Sequence, residues 1–252
     1  MGIAYKIYVP YLQVCKDAIE QSSVWDSFRH NATFTGIVGG IPYEVGADCE
    51  DKILKAFGDN PALLDKFAEG DSIGQPPVYL YKKLGRYMSP ATMRYINVLI
   101  DLLKCSHIEF NKINIVEIGG GYGGQCKVIH DFIKPKSYTL IDFPEVLTLS
   151  KKYLEHFGID AIYRNFDKGL SKKIIYGFCI SNYAYSEMEV AQQTFYDDAI
   201  LNNSKRGYML CNFISKRYMT TRFRRMTRHK TKQYKVLPEI PSTAPGNFLF
   251  IW

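Results

Sequence analysis

Apolar positions recur along this chain with two periods, and the change comes near residue 111. Before it the spacing is helical. PALLDKFAEG (61–70) carries apolar residues on one helical face and ends in Gly70. SPATMRYINVLIDLLKC (89–105) opens with Ser89 as a candidate N-cap and Pro90 at the first helical position. Its Met93, Ile96, Leu99, Ile100 and Leu103 fall on one stripe. Between these two, SIGQPPVYLY (72–81) is marked by Pro and Gly as an extended segment. After residue 111, strand-like runs alternate with amphipathic stretches. INIVEIG, SYTLIDF, IDAIYRNF, KIIYGFCISNY and RGYMLCNFI read as strands. GGQCKVIHDFI, PEVLTLSKKYLEHFG and EMEVAQQTFYDDAILNN read as helices, the second bounded by Pro144 and Gly158. YKVLPEI and NFLFIW are two further strands. The PSTAPG between them is too short for a crossover helix, so they pair antiparallel.

Alternation of strand and helix predicts an α/β fold with a mostly parallel sheet. Six parallel strands with a reversed final hairpin make the seven-stranded sheet of the Rossmann-like class I methyltransferases, here with an antiparallel last strand and an N-terminal helical region. A dinucleotide-binding sheet is normally all parallel. The expected division is 1–110 as a mostly helical accessory or lid region and 111–252 as the Rossmann-like domain.

Composition narrows the classes. With 252 residues, 46% of them hydrophobic and 14% aromatic, the chain can bury a full core. Its six cysteines are scattered without a CxxC pair, which argues against a disulfide framework or a zinc site. No apolar run approaches the roughly 20 residues of a spanning helix. The start, MGIAYKIYVPYLQVCKD, lacks a signal-peptide core, and a cytoplasmic, reducing location is expected. The net charge of +7 is local. Residues 216–235 hold nine Lys/Arg and no acid, and the rest of the chain is slightly acidic.

The candidate chemistry centres on IVEIGGGYGGQ (115–125). A strand that runs into Gly119, Gly120, Gly121, Tyr122, Gly123 and Gly124 and then into a helix is a ligand-binding turn. Gly119, Gly121 and Gly124 also satisfy G-x-G-x-x-G, and Asp142 follows eighteen residues later at the next strand end, suited to ribose hydroxyls. Glu117 distinguishes the readings. A carboxylate beside the turn repels a pyrophosphate but complements the ammonium of S-adenosylmethionine. The turn is therefore expected to bind S-adenosylmethionine through Glu117, Gly119, Gly121, Tyr122 and Gln125.

Four segments, VEIGGGYGGQC, LIDFPEVL, ISNYAYSEM and LPEIPSTAPGNFLFIW, together resemble the sugar O-methyltransferases, a group of class I S-adenosylmethionine-dependent enzymes. The resemblance spans about residues 75–252, with SPATMRY as a weaker upstream match. It implies methyl transfer to a hydroxyl of a sugar or glycan and leaves the particular acceptor open.

Strand ends along one sheet edge line the cleft in such folds. Phe143 is expected against the adenine, with Phe166 as a second wall. Asp167 accepts the adenine amino group, or is a turn residue before Lys168. Asn182 and Tyr183 face the transferring methyl and hold the cofactor. Glu187 is the leading general base, or an acid near a helix start. His229 is the second candidate base, and His130 is a core or surface histidine. Tyr183 and Tyr185 suit stacking on a pyranose face, or packing; Ser186, Glu239 and Thr243 suit a sugar acceptor, and Glu239 and Thr243 equally suit turn chemistry. Arg94 closes the pocket from the helical region, or lies on a solvated helix face. Asp197 and Asp198 are adjacent but point apart on a helix, so no metal is expected. The basic run suits a phosphate-linked or acidic glycan, RNA phosphates, or a solvated helix. The alternatives to sugar O-methylation are an RNA methyltransferase using residues 216–235, an NAD-dependent oxidoreductase, and a non-catalytic cofactor-binding module in a glycan-building assembly.

Overall fold

The computed structural model describes residues 3–105, 109–166, 170–171, 173–212 and 234–252. Asp167, His229 and residues 216–233 of the basic run lie outside the described residues. The chain forms two compact units. The first comprises Met1–Ile108, Gly121–Lys134 and Phe143–Ala161; the second comprises Glu109–Gly120, Pro135–Asp142 and Ile162–Trp252.

The first unit is built on helices. They are α1 (Ile3–Glu20), the short α2 (Ser22–Trp25) and α3 (Ala32–Thr35), α4 (Tyr43–Phe57), α5 (Pro61–Glu69) and α6 (Pro90–Cys105). Two later segments join them, α7 (Gly124–Phe132) and α8 (Pro144–His156). The caps are local. Asn60 accepts from the Leu63 amide at 3.1 Å to start α5, and Ser89 Oγ accepts from the Thr92 amide at 3.1 Å to start α6. The extended segment expected over 72–81 pairs with a second strand that the sequence pattern did not reveal: β1 (Tyr79–Tyr81) runs antiparallel to β2 (Arg86–Met88).

A buried ion pair ties this unit together. Arg29 donates to Asp71 at 2.7 Å, and both side chains are only 4% exposed. Asp71 also accepts from the Ser89 amide, Ser89 Oγ and Thr92 Oγ1. Arg29 further donates to the carbonyls of Gly70 and Ile73, and lies over the Tyr122 ring at 4.6 Å. The later helices are held in the same unit. Lys152 on α8 donates to the last carbonyls of α1, those of Ala18 and Ile19, at 3.0 and 3.1 Å. Lys127 on α7 donates to the Lys66 carbonyl of α5 and pairs with Asp131 at 2.7 Å.

The second unit is a seven-stranded sheet. Its strands are β3 (Asn114–Ile118), β4 (Ser137–Asp142), β5 (Ile162–Asn165), β6 (Tyr176–Asn182), β7 (Ser204–Cys211), β8 (Lys235–Pro238) and β9 (Phe248–Ile251). The spatial order is β5-β4-β3-β6-β7-β9-β8. Pairs from β5 to β7 are parallel, and β9 is antiparallel to both β7 and β8. Six strands thus run one way and β9 the other, as the alternating pattern predicted. Val116, Ile118, Ile141, Cys179, Met209 and Phe250 form a core with Tyr185, Tyr196, Ile200 and Trp252.

The single helix expected over 187–203 is divided. A short α9 (Ala184–Glu187) is followed by α10 (Val190–Tyr196) and a π-helical turn over Asp197–Leu201. The break has a local cause. Glu189 is extended and forms a capping box with Gln192, which restarts the helix. Ser181 Oγ accepts from the Tyr185 amide at 3.1 Å and fixes α9 directly after β6. Among the described residues, no helix is long and apolar enough to cross a membrane.

Candidate functional site

The order of the sheet reverses at β3, whose neighbours are β4 and β6, and ligands of open α/β sheets bind at such carboxyl ends. Glu117, in β3, is 2% exposed, and its Oε2 accepts from the Tyr138 hydroxyl at 2.8 Å. The turn begins at Gly119, whose amide donates to the Ile141 carbonyl at 2.8 Å. Its φ of +75° excludes an unstrained side chain, and a Cβ there would lie 2.1 Å from that of Ala184. A Cβ on Gly120 would lie 2.3 Å from Leu140 Cδ2. Close packing of the protein on itself therefore demands both of these glycines, a reason the ligand-turn reading did not contain. Asp142 is half-buried at the end of β4, in register with Asn165 of β5.

The chain then enters the first unit. Gly121 has φ +54° and stands close to Val38, and Gly123 has φ +96° as the N-cap of α7. The side chains of Tyr122 and Gln125, both expected at the cofactor, point into the helical unit. Tyr122 is 1% exposed and enclosed by Phe28, Phe34, Tyr95 and Tyr153. Gln125, equally buried, donates to the Tyr95 carbonyl at 3.2 Å. Both are core residues of the helical unit, because the glycines beside them let α6 and α7 approach closely. Phe143 precedes α8, with its ring 5.7 Å from that of Tyr8. Arg94 is only 8% exposed and lies over the Tyr95 ring at 5.6 Å, which corrects the solvated-face alternative.

The end of β6 gathers the remaining candidates in the second unit. Asn182 closes the strand, and Tyr183 follows with φ +70° and ψ −33°, a conformation unusual for a residue with a side chain. The Tyr183 hydroxyl donates to Glu239 Oε1 and lies 2.8 Å from Thr243 Oγ1. Glu239 Oε2 accepts from the Thr243 amide at 3.0 Å, Thr243 Oγ1 at 2.9 Å and Asn247 Nδ2 at 3.0 Å. Glu239 and Thr243 are thus brought to Tyr183 by the turn between β8 and β9.

A second set surrounds Glu187. Its Oε1 accepts from Asn212 Nδ2 at 2.6 Å. Asn212 is held by Ser186, whose Oγ donates to Asn212 Oδ1 at 2.8 Å and accepts from its amide at 3.1 Å. Sequence reading missed Asn212. The signal was present, as the polar residue that ends the apolar run RGYMLC. Ser186, expected at a substrate, is 1% exposed and fastens the loop ends instead. Tyr185 is corrected as well: it is 1% exposed within the sheet core and donates to Asp197 at 2.5 Å, so its ring is closed to a sugar face. Phe166 packs against the same core.

Other titratable groups are structural. His130 on α7 makes a 2.8 Å contact from Nδ1 to the Cys126 carbonyl, and burial holds its imidazole below the usual 6.5. Among the described residues, no cluster of three or more His, Cys, Asp or Glu could hold a metal ion. The first unit contains a cavity of about 190 Å³ lined in part by Arg29, Val38, Pro77, Tyr79, Ala91 and Tyr122. The charge of Arg29 is already paired with Asp71.

The donor set at the ends of β3 and β4 fits S-adenosylmethionine in kind. Two carboxylates on adjacent strands offer partners to an ammonium and to ribose hydroxyls.

No family model matches the chain, and no curated protein does. Solved structures resemble it at low identity. The plantazolicin methyltransferase BpumL in complex with SAH has a TM-score of 0.42 and 15% identity, covering 56% of this chain and 74% of that one. The mitomycin 7-O-methyltransferase MmcR has a TM-score of 0.46 and 12% identity, over 65% of this chain and 54% of that one. The methyltransferase domain of bacterial CtHen1 has a TM-score of 0.46 and 11% identity, over 63% of this chain and 96% of that one. Strand order and the reversed β9, read from the chain's own pairing, give this protein the Rossmann-like methyltransferase fold.

Proposed function

We propose that the chain is an S-adenosylmethionine-dependent methyltransferase whose acceptor is a hydroxyl of a sugar or glycan. The observation that carries the cofactor is Glu117, buried in the strand that leads into the glycine turn, with Asp142 ending the adjacent strand. A pyrophosphate would meet a buried negative charge there, whereas an ammonium is complemented by it. The sugar acceptor rests on the resemblance carried by the four quoted segments.

When bound, S-adenosylmethionine supplies an electrophilic methyl group on a sulfonium. The chain's own residues do the rest. Glu117 holds the ammonium and Asp142 the ribose hydroxyls. Glu187, exposed and steadied by Asn212, takes the proton of the acceptor hydroxyl. Sugar hydroxyls are weak acids, and a positioned base contributes about 10²–10⁴-fold. The free, buried thiols of Cys15, Cys49, Cys126, Cys179 and Cys211 suit a reducing compartment.

Calorimetry with S-adenosylmethionine and NAD tests the cofactor; tighter binding of NAD refutes it. Methyl-labelled S-adenosylmethionine, offered with methyl pyranosides and nucleoside-diphosphate hexoses, tests the acceptor. The nine Lys/Arg of residues 216–235 favour a phosphate-bearing acceptor, and RNA satisfies that charge as well. Label entering RNA instead of carbohydrate, with binding that falls steeply with salt, selects the RNA reading. Binding without turnover on any acceptor selects the non-catalytic module.

A further inference from the structure

We propose that Tyr183 selects which sugar hydroxyl is methylated, by accepting a hydrogen bond at Oη from a hydroxyl neighbouring the one that reacts. The inference rests on the methyl-transfer reading and adds the residue that fixes acceptor position.

The first observation is conformational. Tyr183 holds φ +70° at the end of β6, where glycine is the easy choice. A residue with a Cβ persists in such a conformation only when its surroundings impose it, and such residues cluster at functional sites. The surroundings here are specific. The Tyr183 amide donates to the Leu210 carbonyl of β7 at 2.9 Å, and its hydroxyl is tied to Glu239 and Thr243.

The second observation is the direction of the protons. Glu239 is 7% exposed, and among the described residues no Lys or Arg pairs with it. A buried carboxylate without a cation is tolerated when donors surround it. Tyr183, the Thr243 hydroxyl, the Thr243 amide and the Asn247 amide all donate to it. A phenol has one proton. Whether that proton goes to Glu239 or to Thr243, it is spent inside the cluster. Toward a ligand, Tyr183 Oη is therefore an acceptor alone, and it engages a group that donates. A hydroxyl neighbouring the reacting one meets that requirement. Once that neighbour is anchored, a single hydroxyl presents its oxygen to the methyl group, and Glu187 is left to take its proton.

The residues divide accordingly. Tyr183 touches the acceptor, while Glu239, Thr243 and Asn247 position Tyr183. Tyr183, expected from the sequence to hold the cofactor, engages the acceptor through its hydroxyl in this scheme, while Glu239, Thr243 and Asn247 act only through it.

The test uses the full chain, methyl-labelled S-adenosylmethionine, a methyl pyranoside and its monodeoxy analogues, with products identified by position. The native protein is expected to give one positional product and to lose roughly tenfold in kcat/KM on one deoxy analogue other than that lacking the reacting hydroxyl, as for one lost hydrogen bond. Tyr183→Phe should give a mixture of positions and become indifferent to that analogue. Thr243→Val, which keeps Tyr183 but loosens it, should give a partial mixture and keeps the question open to test if Tyr183→Phe does not fold. An unchanged single product from a folded Tyr183→Phe or Thr243→Val protein overturns the proposal. Cofactor binding with transfer to no pyranoside overturns it too, whereas no cofactor binding at all sinks the underlying reading.

Discussion

Gly119 shows how one residue can answer to two demands. Its φ of +75° and the Ala184 methyl, 2.1 Å from where a Cβ would sit, both forbid a side chain. Gly119→Val should therefore lower the melting temperature and the soluble yield even without ligand, by an amount on the order of the 1–3 kcal/mol that strained or overpacked sites cost. An unaltered melting temperature would mean that the turn relaxes freely. Asp142 behaves differently, because it is half-buried at a strand end. Asp142→Ala should leave circular dichroism unchanged and weaken S-adenosylmethionine binding by roughly 1–3 kcal/mol in calorimetry. Glu187→Gln keeps the shape that Asn212 holds and removes the basicity. Turnover should fall by about a hundredfold or more with cofactor affinity retained, measured by labelled transfer. Near-native turnover would reduce the step to positioning without a base. The placement of Glu117, the glycines and Asp142 at the ends of adjacent strands was legible because acid, glycine and strand end occur together in a local pattern. Tyr122, Gln125, Tyr185 and Ser186 stand in the same motifs, yet their side chains turn into cores. Which way a residue points after a strand ends depends on packing that neighbours in sequence do not report.

At the level of elements, periodicity served well where an element is bounded by its own caps. α5, α6 and α8 begin at Pro61, Pro90 and Pro144, as their sequences indicate. It failed where the signal is tertiary. β2 has only three residues and exists through pairing with β1, and the helix of 187–203 is interrupted by the capping box at Glu189. α7 yields a prediction of its own. Burial lowers the His130 pKa, offset in part by the Cys126 carbonyl, so the folded protein holds the imidazole neutral at pH values where the unfolded chain protonates it. Proton binding by the unfolded chain then favours unfolding below the usual 6.5. Stability should drop as pH falls through 6.5 toward the lower folded value, and His130→Gln should flatten that limb in urea titrations run between pH 7 and pH 5. An identical slope in the variant would assign the acid loss to carboxylates.

On the scale of the whole chain, the change of texture at residue 111 suggests a place to cut, and the structure says what a cut removes. α7 and α8 lie beyond that point in sequence but belong to the first unit, where Lys127 reaches α5 and Lys152 caps α1. A fragment of residues 109–252 should therefore expose the apolar faces of both helices. Aggregation or strong binding of a hydrophobic dye is expected, and a monomeric fragment with native-like exchange protection would show that those helices do not need their partners.

The place of β9 bears on how the protein comes into being. It is the last strand in the sequence, yet it lies between β7 and β8. During synthesis β3 to β7 can pair as they emerge, but β8 must wait with its backbone groups unmatched until Phe248–Ile251 has been made and threaded beside it. Asn247, one of the donors around Glu239, comes only then. A nascent chain can hence acquire most of its sheet, and even its glycine turn, before the Tyr183 turn is locked. A chain in which most of the sheet has paired can thus still lack the contacts around Glu239 that β9 and the turn before it complete.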